Sequence, residues 1–193
     1  LICIKIMQSN NPGKVVKFCY FNAQSICNKT NDILDYLLDN DIDICAISET
    51  WLNSIDSVTV ASLESENYKL HHVPRLEKRG GGVALLIKKN IDFMALSPSK
   101  VTMFEYLNAK LTCGNSVINI VVLYRPQTIN GKNTSCNLFF DEFSDLLSKQ
   151  LNQSGKLLIV GDFNFHWNNH TDESVIKMKD IINSFDLEPH ITG

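Results

Sequence analysis

The sequence lacks the signatures of the most familiar zinc, redox and nucleotide sites. Its six cysteines include no Cys-x-x-Cys pair, so neither a zinc ribbon nor a thiol redox site is indicated. The glycine run 80–82 leads into a predicted strand and no Gly-Lys-Ser/Thr follows it, so it is not a P-loop. A tight turn is the favoured interpretation, although the basic residues Arg75, Lys78 and Arg79 beside it would suit contact with a nucleic-acid backbone.

Long apolar runs and a strong net charge are also missing. No segment approaches the roughly 20 apolar residues of a membrane-spanning helix, so no membrane partner is expected. The 193 residues carry a net charge of −3, so any attraction for nucleic acid must come from local patches. A chain of this length can bury a core without disulfides, and we expect an intracellular protein, nuclear or cytoplasmic, that is not secreted.

The order of apolar segments predicts an α/β fold in one domain over residues 15–193, preceded by an N-terminal extension over residues 1–14. Strands rich in β-branched and aromatic residues alternate with helices that carry an apolar stripe. Two strand–helix–strand units result, and such units place their two strands parallel. The first unit comprises residues 15–23, 28–40 and 43–51, and the second comprises 116–126, 138–151 and 156–164. Further strands are predicted at 68–75, 82–89 and 105–112, and a last helix at 173–185.

The apolar stripes of the three helices predict which of their residues enter the core. The expected core residues are Ile33, Leu34, Leu37 and Leu38 in the first helix, Phe139, Phe143, Leu146, Leu147 and Leu151 in the second, and Ile181, Ile182 and Phe185 in the third.

Four of the predicted strands end in polar residues, and this is the main indication of a site. These residues are Asn22, Glu49, Tyr124 with Arg125, and Asp162 with Asn164. Parallel strands bring their carboxyl ends to one edge of a sheet, where ligands of α/β folds tend to bind. Residues two apart on a strand share a face, so Asp162, Asn164 and His166 are expected on one side and Phe163, Phe165 and Trp167 on the other.

The chemistry of these residues points to phosphoester hydrolysis. Carboxylate and amide oxygens without cysteine favour a hard cation, Mg²⁺ or Mn²⁺, over zinc. A tyrosine hydroxyl, amides and an arginine are donors that suit phosphate oxygens. Together they predict metal-assisted hydrolysis of a phosphoester.

Five spaced motifs carry a resemblance to a known family. The segments FNAQS, ISETWL, RGGGVALLI, VVLYRP and IVGDFNFHW resemble the endonuclease/exonuclease/phosphatase superfamily, the fold of deoxyribonuclease I and the abasic-site endonucleases. The amino-acid sequences of the segments NAQSICNK, SETWL, GGGVAL, LYRP and GDFN are most similar to those of the endonuclease domain of non-LTR (LINE-type) retrotransposons. The resemblance implies a four-layer α/β sandwich, with two mixed β-sheets face to face and helices outside.

The resemblance also implies a role for each polar strand end. Glu49 would bind the catalytic metal and Asn22 would help to place metal and phosphate. Tyr124 would hydrogen-bond the scissile phosphate, Asp162 would orient or activate the attacking water, and Asn164 would support it. The implied reaction is in-line attack of water on DNA that leaves a 3′-hydroxyl, which a covalently linked reverse transcriptase domain would extend in a full-length retrotransposon protein. Arg125, His166 and Arg79 are further candidates for substrate or phosphate contacts.

One departure from the family pattern concerns the last residues. Family members finish with an acidic residue and a Ser-Asp-His motif, whereas this chain ends PHITG and His190 has no Ser-Asp before it. The sequence therefore predicts a domain that lacks its last strands and has little or no activity as it stands.

Two other functions and one other metal site are compatible with the residues. The chain could instead be a different phosphoesterase of the superfamily, such as an inositol-phosphate phosphatase, a sphingomyelinase or a deadenylase, or a non-catalytic remnant that binds phosphoesters. His166 and His170 have the i, i+4 spacing of a helical zinc pair, but they lie in a loop-like segment without a third ligand nearby.

Overall fold

Two mixed β-sheets stand face to face and form the centre of the structure. The structure is a computed structural model that describes residues 3–8, 15–52, 58–75, 80–114, 116–129 and 132–190. Its strands are β1 (Cys3–Gln8), β2 (Val15–Asn22), β3 (Ile44–Ser48), β4 (Tyr68–Val73), β5 (Val83–Lys88), β6 (Asp92–Leu96), β7 (Glu105–Cys113), β8 (Ser116–Tyr124), β9 (Thr128–Ile129), β10 (Lys132–Asn133) and β11 (Lys156–Asp162). Five of them form one sheet in the order β1-β2-β3-β5-β4 and four form the other in the order β11-β8-β7-β6, while β9 and β10 pair as a small hairpin.

Helices cover the outer face of each sheet, which gives the predicted four-layer sandwich. The helices are α1 (Thr30–Asp39), α2 (Val58–Leu63), α3 (Cys136–Leu151) and α4 (Glu173–Ser184). The core residues of α1 and α2 pack against the five-stranded sheet, and those of α3 and α4 pack against the four-stranded sheet. A third apolar cluster lies between the two sheets. None of the helices in the described part of the chain is both long and apolar enough to cross a membrane.

Both predicted strand–helix–strand units are confirmed. β2 and β3 pair in parallel across α1, and β11 pairs in parallel with β8 across α3. Residues 3–8, which lie within the predicted N-terminal extension, form an edge strand that pairs antiparallel with β2.

The alternation of residues along the strands directs the polar strand ends into the space between the sheets. Along β2, Phe18 and Tyr20 belong to the cluster between the sheets, so Asn22 continues the same face. Along β11, Leu158 and Val160 pack against that cluster and Asp162 follows them. The site therefore forms where the apolar rows facing the gap end at one edge of each sheet.

Two residues predicted in the helical core prove to be exposed. Leu38 is 47% exposed and Leu151 is 43% exposed. Each lies at the end of its helix, where the stripe turns away from the sheet. The remaining predicted core positions of α1 and α3 are buried or pack against the clusters beneath them.

Candidate active site

An amide group joins the two sheets at the site. The two protons of Asn22 Nδ2 are donated to Glu49 Oε1 at 2.7 Å and to Asp162 Oδ2 at 2.8 Å. Asn22 and Glu49 come from the five-stranded sheet, whereas Asp162 ends β11 in the other sheet. Asn22 Oδ1 accepts a bond from the backbone N–H of Gln24 at 3.2 Å, which fixes the orientation of the amide. Three residues predicted for the site from separate segments are thus brought together.

The backbone around Glu49 turns its side chain back toward Asn22. Glu49 follows the last residue of β3 and has a φ of 52°, in the left-handed region that residues with a side chain rarely adopt. The glycine segment, residues 80–82, holds this turn in place, because the N–H of Thr50 donates to the carbonyl of Gly82 and that of Trp51 to the carbonyl of Gly81. Strained residues of this kind persist where the surroundings fix them, often at functional sites.

Tyr124 lies in the middle of a row of three polar residues. In the strand register it is directly opposite Asp162 of β11 on one side and Glu105 of β7 on the other. Burial, with a further contribution from the Glu49 carboxylate, raises the pKa of Tyr124 to about 12. The hydroxyl is therefore protonated at neutral pH and is able to donate a hydrogen bond.

Asp162 is held by two donors, one on each carboxylate oxygen. Oδ2 accepts from Asn22, and Oδ1 accepts from the backbone N–H of Asn164 at 2.9 Å. Asn164 has a φ of 51°, and its side-chain amide donates to the carbonyl of Arg125 at 2.7 Å. Asn164 therefore anchors the loop after β11 to the end of β8 and positions Asp162. Each carboxylate oxygen keeps a second lone pair for a further donor such as water.

The structure corrects the prediction for Arg125, which was grouped with the phosphate contacts. Its side chain points away from Tyr124 and is 5% exposed. The guanidinium lies over the rings of Phe165 at 4.5 Å and Phe139 at 5.1 Å, and one of its amines donates to the carbonyl of Phe163 at 3.2 Å. The physical reason is strand alternation, because neighbours on a strand point to opposite faces. Arg125 therefore supports the loop after β11 from outside the site.

Replacing Arg125 by lysine is expected to lower the free energy of unfolding by about 1–3 kcal/mol, because lysine keeps the charge but loses the planar stacking and the forked hydrogen bonds. Arg75→Lys is the comparison variant, because the Arg75 side chain is 23% exposed and the same exchange there should cost less than at the buried Arg125. Urea unfolding measures both. Equal losses in the two variants would show that Arg125 has no special packing role.

The structure places His166, another predicted contact residue, beyond the end of the strand that carries Asp162. β11 ends at Asp162, and His166 is exposed in the turn segment beyond it. The aromatic residues between them, Phe163 and Phe165, pack on the outer side of the sheet as the alternation predicted. Arg79 lies outside the described residues, so its contact stays a prediction.

Glu105 is a site residue that the sequence did not reveal. Its carboxylate forms an ion pair with Nε of Arg75 and accepts the backbone N–H of Gly82 at 2.6 Å. The available signal was a single carboxylate at the start of a strand whose alternate residues Leu107, Ala109 and Leu111 form an apolar face. Strand periodicity places Glu105 on the inward face, and the antiparallel register of β7 and β8 sets it opposite Tyr124.

The oxygen ligands at the site suit a hard divalent cation. No three His, Cys, Asp or Glu side chains form a metal-binding cluster within the described part of the chain. Mg²⁺, however, is usually bound through only one or two carboxylates and keeps several waters. Glu49 meets that requirement, because its carboxylate accepts one hydrogen bond from the Asn22 amide and has further lone pairs.

Several solved structures share this fold. The endonuclease domain of TRAS1, a telomere-specific non-LTR retrotransposon, superposes with a TM-score of 0.69 and 10% sequence identity, covering 92% of this chain and 74% of that chain. An AP endonuclease from Archaeoglobus fulgidus gives a TM-score of 0.62 and 16% identity over 88% and 70% of the two chains. ANGEL2, a 2′,3′-cyclic phosphatase, gives 0.51 and 21% over 69% and 42%. At these identities the likeness shows the fold alone.

Sequence comparisons identify a family for this chain but no curated relative. A comparison with curated proteins finds no match. The model of the Endonuclease/Exonuclease/phosphatase family matches residues 19–175, a range that includes Asn22, Glu49, Tyr124 and Asp162. That match covers most of the chain, and the chain therefore belongs to the endonuclease/exonuclease/phosphatase family.

Proposed function

We propose that this chain is a metal-dependent phosphodiesterase that nicks DNA, of the type found in non-LTR retrotransposons. The observation that carries the proposal is the Asn22 amide, which joins a carboxylate of one sheet to a carboxylate of the other. Tyr124 lies directly beside the second of these carboxylates in the strand register. Acceptors for a cation and for water therefore stand next to a protonated hydroxyl that can donate to phosphate.

Each residue has a defined task in this proposal. Asp162 accepts a hydrogen bond from the attacking water and takes its proton, while Asn22 and the N–H of Asn164 keep the carboxylate in place. Tyr124 donates to a non-bridging phosphate oxygen, where negative charge increases during the reaction. Glu49, with Asn22 beside it, would hold Mg²⁺ or Mn²⁺. Such an ion, when bound, lowers the pKa of water and stabilises charge on the phosphoryl group.

The likeness to solved structures supports more than one substrate. The TRAS1 domain comes from a retrotransposon and supports DNA nicking, whereas ANGEL2 is a 2′,3′-cyclic phosphatase and supports the alternative of another phosphoesterase. The motif wording SETWL and GDFNFHW favours the first.

The proposal is tested by conversion of supercoiled plasmid to the nicked circle in Mg²⁺. Glu49→Gln is expected to raise the Mg²⁺ concentration for half-maximal nicking by more than about 10-fold. Even the mutation of a residue that only hydrogen-bonds a metal ligand lowers metal affinity by about 10–100-fold. The control is Glu66→Gln, which makes the same change at an exposed position.

Thermal unfolding gives a second readout that does not require turnover. Mg²⁺ should raise the melting temperature of the unchanged protein and of Glu66→Gln but not that of Glu49→Gln. Hydrolysis of cyclic phosphates or phosphomonoesters without plasmid nicking would show that the chain has the alternative function, that of another phosphoesterase. Measurable nicking by Glu49→Gln at the rate and the Mg²⁺ concentration of the unchanged protein would refute the site.

A further inference from the structure

An arginine is fixed beside the candidate site by contacts that the proposed reaction does not use. The Arg75 guanidinium lies 5.7 Å from the centre of the Tyr124 ring and is paired through Nε with Glu105. Glu105 Oε1 pairs with Arg75, and Oε2 accepts the N–H of Gly82, so the carboxylate joins β7 to both. Both charged side chains are 23% exposed, so the pair lies at the mouth of the site and not in the core.

The glycine segment leaves room for this arginine. A Cβ added at Gly81 would lie 2.4 Å from Cζ of Arg75, so any larger residue there would displace the guanidinium. Gly81 also has a φ of 68°, which favours glycine. Gly81 therefore shapes the seat of Arg75, and the glycine run 80–82 needs no role as a phosphate loop.

The strand register places Arg75 and Asp162 on opposite sides of Tyr124. Glu105, Tyr124 and Asp162 are abreast on three adjacent strands, and Arg75 is bound on the Glu105 side. Adjacent strands are about 4.8 Å apart, so the two outer positions are separated by roughly 10 Å. A guanidinium that Nε anchors in this way presents its Nη atoms to a planar or tetrahedral oxyanion.

We propose that Arg75, positioned by Glu105, binds the backbone phosphate on the 5′ side of the scissile phosphate. The inference rests on the proposed function. If Asp162 holds the attacking water and Tyr124 the phosphate, in-line displacement directs the leaving 3′ oxygen away from Asp162 and toward Arg75. The nucleotide that carries this oxygen has its own 5′-phosphate beyond the sugar. The site is therefore built for a polynucleotide with two successive phosphates and not for a substrate with one.

The protein side of the test uses Arg75→Ala on a short duplex with one cleavage site. We expect KM to rise about 10-fold or more, because hydrogen bonds to charged groups contribute at that level, while kcat changes less than about twofold. DNA binding measured in Ca²⁺ should depend less steeply on salt in Arg75→Ala, by the amount that corresponds to about one lost phosphate contact. Lys156→Ala is the control, since it removes an exposed charge at the start of β11, the end opposite Asp162.

The substrate side removes a single charge from the DNA. A methylphosphonate at the linkage 5′ to the cut should weaken binding by the unchanged protein about 10-fold and have little further effect on Arg75→Ala. Hydrolysis of bis(p-nitrophenyl) phosphate, which carries one phosphate, should fall much less in Arg75→Ala than cleavage of the duplex does. Glu105→Gln should weaken DNA binding less than Arg75→Ala, and the double variant should equal Arg75→Ala, as expected for a positioning residue.

The outcomes separate the two proposals. Full sensitivity of Arg75→Ala to the methylphosphonate, or an equal loss on bis(p-nitrophenyl) phosphate, would overturn the second-phosphate assignment while leaving the nuclease intact. If the unchanged protein binds DNA but cleaves it slowly, the DNA-binding measurements on Arg75→Ala, Glu105→Gln and the methylphosphonate duplex test the second-phosphate assignment. Absence of both DNA binding and cleavage in the unchanged protein would overturn both proposals.

Discussion

Asp162→Asn is expected to lower kcat for DNA nicking by about 10²–10⁴-fold, the range of a positioned proton acceptor, while KM changes little. Asp162 and Glu105 both flank Tyr124, but Glu105 is paired with Arg75. Asp162 is therefore the carboxylate proposed to take a proton from water, and an amide cannot replace it. Asparagine also has a single side-chain oxygen, whereas Asp162 accepts from Asn22 on one oxygen and from Asn164 on the other. One of these donors would face the new NH₂ group.

The control must separate lost chemistry from lost folding. Asp145→Asn makes the same exchange at an exposed position of α3 and is expected to nick at the rate of the unchanged protein. Urea unfolding of Asp162→Asn shows whether the protein remains folded, because one lost hydrogen bond costs only about 1–3 kcal/mol. Nicking by a folded Asp162→Asn protein within about threefold of the unchanged rate would rule out Asp162 as the proton acceptor.

Apolar periodicity predicted the layers of this fold because packing imposes it on every strand and helix that faces a core. The apolar run 157–160 and the stripe of α3 were sufficient to place β8 and β11 in parallel with a helix between them. Elements without such a pattern were not predicted. β6 is mostly exposed along its length, and α2 is a short helix with two β-branched valines, so neither has a readable period.

The arrangement of the site was predicted in part for a related reason. Parallel pairing brought the end of β2 beside that of β3 in one sheet, and the end of β11 beside that of β8 in the other. The two sheets face each other, and Asn22, Glu49 and Asp162 are in contact between them. The orientation of Glu49 depends on a backbone turn with φ of 52°, which no side-chain pattern encodes. The orientation of Arg125, in contrast, could have been predicted. Tyr124 faces the site, so strand alternation alone places the next side chain, Arg125, on the other face.

Gly161→Ala is expected to lower the free energy of unfolding by about 3–5 kcal/mol, more than any other single substitution considered. Gly161 is opposite Leu123 in the parallel pair of β11 and β8. A Cβ at this position would lie 1.8 Å from the Leu123 carbonyl oxygen, a distance that backbone atoms cannot tolerate. The φ of 153° adds a conformational penalty of about 1–3 kcal/mol, and forced overpacking adds about as much.

Gly114→Ala isolates the conformational part of this effect. Gly114 also has a positive φ, 61°, but a Cβ there would meet nothing within 4 Å, so the expected loss is only about 1–2 kcal/mol. Urea unfolding of both variants measures the difference. Because Asp162 is the next residue, a Gly161→Ala protein that still folds should also lose nicking and Mg²⁺ stabilisation, whereas Gly114→Ala should keep both. Equal stability of the two variants would mean that β11 can move away from β8 without cost, and the close approach would then not be what positions Asp162.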